Sequence, residues 1–73
     1  MKQKTKSQPY IGNIKIGNQF RIKSDNNIIE VVDVNNNIVC KYIVSDTKKD
    51  LPVTFGGDDL DKKVKFGYFI KIK

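Results

Sequence analysis

Histidine, tryptophan and alanine are absent from this chain, cysteine and methionine occur once each, and proline occurs twice. Each gap excludes something. Without histidine the commonest general base and imidazole metal ligand is missing. No serine, no threonine and not Cys40 has a nearby base at a spacing that suggests an activated nucleophile, so the expectation is a non-enzymatic protein that uses no cofactor. The lack of alanine, the strongest helix former, argues against a helical bundle. A lone Cys40 forms no internal disulfide, which points to a reducing compartment and leaves the thiol as a small buried hydrophobe in a strand. No run approaches the roughly 20 apolar residues of a membrane span, and the lysine-rich start has no apolar stretch of the signal-peptide kind. The resulting expectation is a cytoplasmic protein without a membrane partner.

What the chain does contain is β-branched. Ten Ile and seven Val stand against two Leu, and such side chains suit a pleated surface better than a helix. Seventy-three residues make one domain, which buries roughly 60% of its unfolded surface and has a thin core. The net charge of +6 is unevenly placed. Residues 1–23 and 62–73 carry only basic charges, whereas all eight Asp and Glu fall between 24 and 61. Basic ends around an acidic centre hint at a polyanion-binding face. A second explanation competes with it, because the abundant Lys, Ile and Asn are the residues that an AT-rich genome favours.

Along the chain, residues 1–9 have no apolar side chain after Met1 and read as a flexible basic arm, with one domain over residues 10–73. Ile14 to Ile16 is a short lead-in that ends at the Gly17-Asn18 turn. Strands are predicted over residues 19–23, 28–34 and 38–44, separated by Asn- and Asp-rich turns, of which Asn35-Asn36-Asn37 is the clearest hairpin. Leu51, Val53 and Phe55 alternate, but Pro52 confines that strand to an edge. Residues 58–63 place acids first and lysines last, as a single helical turn with Asp58 at its N-cap prefers; capping also explains the acids better than a metal site does. Residues 64–72 then alternate as the longest strand, with Val64, Phe66, Tyr68, Ile70 and Ile72 on one side. The expected core is Phe20, Ile22, Val32, Phe66, Tyr68 and Ile70, and Phe66→Ala should therefore be severely destabilising.

The order of elements predicts an all-β fold of about five short antiparallel strands with one helical turn before the last. Around Ile16-Gly17-Asn18-Gln19-Phe20-Arg21-Ile22 and Glu30-Val31-Val32-Asp33-Val34 it resembles the SH3-like small barrels, including the Tudor-like and KOW-type ones of nucleic-acid- and ribosome-associated proteins. The resemblance implies a barrel closed by the last strand curling back to the first; an OB-like barrel is the alternative. It departs from signalling SH3 domains in having no Trp and no aromatic row, and from KOW segments in lacking Gly in the second strand. No ligand residue carries over from either.

Parity along residues 64–72 puts Phe69 outside the core, set among Lys65, Lys71 and Lys73, with Arg21 and Lys23 extending the patch from the first strand. An aromatic ring among cations suits nucleic acid, since bases stack and lysines meet phosphates. These six residues form the expected nucleic-acid-binding site of a non-enzymatic module. A solvated edge strand whose lysines prevent aggregation explains the same pattern. A second functional expectation is a small adaptor or inhibitor, of phage or plasmid origin, docking on a larger protein through Phe69, Tyr10 or an edge strand. The arm gives the first prediction: deleting residues 1–9, which can bury nothing, should leave the melting temperature within a few degrees, as read by a thermal melt. A large loss would make the arm a docked strand.

Overall fold

The structure, a computed structural model, describes residues 14–56 and 58–73; the basic arm and Tyr10 lie outside the described residues. Its elements are β1 (Gln19–Ile22), β2 (Ile28–Asp33), β3 (Ile38–Val44), β4 (Pro52–Phe55), α1 (Asp59–Lys65) and β5 (Phe69–Lys71). The five strands form one antiparallel sheet in the order β4-β3-β2-β1-β5. The last strand returns to the first, as expected. The sheet nonetheless does not close into a barrel, and β4 and β5 are its edges. None of the described residues forms a helix long and apolar enough to cross a membrane.

Alternation decides which side of each strand is buried. Phe20 of β1, Ile29 and Val31 of β2, Ile38 and Cys40 of β3, and Phe55 of β4 share one covered face, joined by Leu60 of α1 and by Ile14. Ile14 is buried without being in a strand: the chain turns at Ile16 and Gly17, where the Asn18 N–H donates to the Lys15 carbonyl at 3.0 Å and the Lys15 N–H to Asn18 Oδ1 at 2.7 Å. Pro52 sits in edge strand β4, where its missing N–H interrupts no inner ladder.

The hairpin of β2 and β3 departs from simple alternation. Its register shifts between Val31 and Asp33, where Val32 has no partner of its own, and between Ile28 and Ile29, where Ile43 is the extra residue. Such bulges reset parity and tighten the twist. Val31 and Val34 consequently both pack inward although three residues apart, and Val32 is 41% exposed rather than core.

The larger correction concerns the last third of the chain. The helix is seven residues long, about two turns, and takes Val64 and Lys65 out of the expected strand. Leu60 and Val64, four apart, lie on the face turned to the core. Asp58 does hold the N-cap position, but its side chain makes no capping bond and instead lies 3.6 Å from Lys62. The helix then stops in a Schellman arrangement. Gly67, at φ +86°, donates its N–H to the Val64 carbonyl at 3.1 Å, and the Tyr68 N–H reaches the Lys63 carbonyl at 2.9 Å.

That turn inverts the face assignment of everything after it. Phe66 and Tyr68 are 67% and 63% exposed, whereas Phe69 is buried at 8%; Ile22 and Ile70 are half-buried. The Phe69 ring meets Phe55 edge-to-face, with centroids 5.7 Å apart at 82°. Phe69→Ala should accordingly lose about 3–5 kcal/mol, the usual range for a buried Phe, while Phe66→Ala should stay within about 0.5 kcal/mol as a surface change. Urea unfolding of the two variants checks this; the reverse ranking would restore the continuous strand over residues 64–72.

Candidate functional site

The turn that buries Phe69 also builds a groove. The β1 end and the α1–β5 connection are tied together where the Lys23 N–H donates to the Tyr68 carbonyl at 3.0 Å. Between them lies a cleft of about 580 Å³. Buried Phe69 and half-buried Ile22 contribute its apolar interior, exposed Phe66 and Tyr68 its aromatic surface, and Lys23 and Lys63 its charge. Among the described residues no carboxylate lines it.

Among the described residues the ring contacts are Phe55 with Phe69 and Lys48 Nζ over Tyr42 at 5.5 Å. Phe66 and Tyr68 take part in neither, and both are exposed. The ion pairs among the described residues are Lys62 with Asp58 and Lys49 with Asp50, both solvent-exposed, and neither includes Lys23 or Lys63.

The residues expected to form the site do not come together as predicted. Lys23 lines the groove and Phe69 lies within it as a buried core ring rather than as an exposed stacking surface. Arg21 donates to Asn26 Oδ1 at 3.1 Å, which engages it with the β1–β2 turn. Its cross-strand neighbour is Ile70, on the opposite side of the sheet from the pair formed by Ile22 and Phe69. Lys65 is exposed at the end of α1, and Lys71 and Lys73 are exposed on or beyond β5; none of the three lines the groove. Sequence reasoning missed Lys63, Phe66 and Tyr68. The signal for them was Gly67, which one residue after Lys65-Phe66 matches a helix-ending glycine as well as a strand residue.

Other chemistry-bearing groups are dispersed or buried. Asp58, Asp59 and Asp61 do not gather, and among the described residues no three His, Cys, Asp or Glu side chains converge on a metal-sized site. A second, more polar cleft of about 480 Å³ runs past Asp25, Asp46 and Lys49 on the far side of the β1–β2 turn. Cys40 is fully buried, and loss of hydration pushes its thiol up to about 11.

The chain matches no protein-family model, no curated protein and no solved structure.

The Cys40 environment yields a prediction with a definite sign. A group whose folded-state pKa is raised contributes stability that is complete below the unfolded value and is lost as pH rises through the folded one. The contribution of Cys40 is thus complete at neutral pH and fades between about 9 and about 11. At pH 8 the native thiol should react with a disulfide reagent on the order of 100-fold more slowly than in denaturant, because the thiolate is the nucleophile and a thiol held at about 11 rather than 9 carries that much less of it. Equal rates would place Cys40 at the surface.

Proposed function

We propose that this protein is a non-enzymatic binding module that contacts nucleic acid through the aromatic groove between β1 and the α1–β5 turn. One observation carries the reading: Phe66 and Tyr68, exposed and, among the described residues, without ring partners, share a cleft with Lys23 and Lys63 that no carboxylate of the described residues lines. Stacking surface and phosphate-neutralising charge stand together there without a competing anion. Lys65, Lys71 and Lys73 add positive potential on the neighbouring α1 and β5 segments. The strand order, with a helix ahead of the strand that returns to β1, supports the SH3-like kinship as part of the same proposal.

A salt titration of binding to random oligonucleotides tests it. Phosphate contacts release counterions, so log Kobs should fall linearly with log salt, by about 0.7 for each contact to a single strand. Lys23→Gln and Lys63→Gln should each flatten that slope by about 0.7 while leaving the melting temperature unchanged. If the parent protein shows no binding at low salt, or binding without a salt slope, the groove serves a protein partner instead.

A further inference from the structure

We infer that the groove selects single-stranded nucleic acid and holds it with little regard for sequence, stacking unpaired bases on Phe66 and Tyr68. This rests on the reading of the groove as a nucleic-acid site and adds which form of nucleic acid it takes and how. A duplex keeps its bases paired and stacked on one another, so it would offer the groove only phosphates and leave both rings idle. An unpaired base presents a π-face and can enter a recess. The cleft is a recess of that kind, at about 580 Å³ within the roughly 300–1,000 Å³ range of small-ligand sites.

The positions of the groups fit a strand better than an isolated nucleotide. Phe66 and Tyr68 stand two residues apart across Gly67, at the helix end, and Lys63 lies one turn earlier on α1. Lys23 comes from the β1 end, the other element of the groove. Charges from two elements in one cleft with two exposed rings suit a backbone carrying successive phosphates and bases.

Tolerance of sequence follows from what the lining lacks. Base edges are told apart best by side chains with a fixed pair of hydrogen-bonding groups, the guanidinium of Arg and the amides of Asn and Gln, whereas a lysine ammonium is a rotatable point charge. The hydrogen-bonding side chains here are Lys23, Ser24, Lys63 and Tyr68, none of which offers a bidentate fork. Stacking is accordingly the main contact to the bases, and every base has a face to stack.

The test uses the full chain and fluorescence anisotropy with three labelled probes of about 12 nucleotides, within the roughly 4–16 nucleotide site of small single-strand binders. The probes are an oligothymidylate, a mixed-sequence duplex, and a strand of abasic sites with the same phosphates but no bases. The expected result is at least tenfold tighter binding of oligothymidylate than of either other probe; a fourth probe, oligodeoxycytidylate, should bind within a few-fold of oligothymidylate, and a larger gap overturns the tolerance of sequence. Phe66→Ala and Tyr68→Ala should each weaken oligothymidylate by roughly 5- to 150-fold and scarcely change the other two affinities. Both side chains are exposed, and unchanged thermal melts confirm that the variants are folded. Equal affinity for all three probes, or an equal loss for all three in the variants, overturns the single-strand inference and leaves the nucleic-acid reading standing. Binding of none of them, or equally tight binding of polyglutamate, overturns both.

Discussion

The contact on which the rest of the structure depends is the edge-to-face meeting of Phe55 and Phe69. Their strands, β4 and β5, are the two edges of the sheet, with three strands between them. Rings at opposite ends of a flat sheet could not approach to 5.7 Å. Neighbouring strands alone lie about 4.7–4.9 Å apart, so a flat arrangement would separate the edges by nearly 20 Å. The sheet must therefore curl, and the two register shifts between β2 and β3, at the centre of the strand order, are where bulges add curvature. An aromatic pair of this geometry is worth about 0.5–1.5 kcal/mol beyond the area it buries. In so small a domain it also takes the place of a hydrogen-bonded closure, since side chains join the edges where no ladder does.

Curling leaves an end of the core to be covered, and α1 supplies that cover. Leu60, fully buried, and Val64 bring apolar surface to the cluster that holds Phe55 and Phe69. The chain must then reverse from helix to strand with little length to spare. Gly67 makes the reversal in the left-handed region, where a side chain is strained even though space is open: a Cβ built there meets nothing within 4 Å. The need is thus conformational and not a matter of crowding. One backbone turn sends Phe69 into the core and leaves Phe66 and Tyr68 outside, so the packing of the core and the make-up of the groove have a common origin.

This coupling explains which parts of the fold were legible in the sequence. β1, β2, β3 and the edge character of Pro52 could be read because each depends on local alternation and on turn residues beside it. The run over residues 64–72 alternates just as well, yet its first two residues are helical. Alternation from Val64 through Phe66 to Tyr68 fits a strand, and the pair Leu60 and Val64 equally fits a helix face; the choice falls to the tertiary need to cover the core, which no local pattern records. Val32 was misplaced for a related reason, since a bulge leaves the spacing of apolar residues unchanged while altering which of them face inward. At the site, the cationic and aromatic character of this end of the chain was visible, but the parity that named Phe69 as its ring was inverted by the helix end.

The exposed rings also bear on why the chain is so rich in lysine. Biased codon usage would scatter lysines without regard to their surroundings, and some fit that account: Lys49 and Lys62 make solvent-exposed pairs with Asp50 and Asp58 that contribute little to stability. Phe and Tyr codons are AT-rich too, so codon usage bears on how many of these residues there are and not on the exposure of Phe66 and Tyr68. A small domain gains nothing in folding from holding two large rings in water when its core is thin, and a contiguous exposed apolar surface ordinarily marks an interaction site. The helix end could have closed over a polar residue at either position with Gly67 and Phe69 unchanged. That two aromatics occupy them, beside Lys23 and Lys63, is the feature that stability leaves unexplained and that the proposed ligand binding would explain.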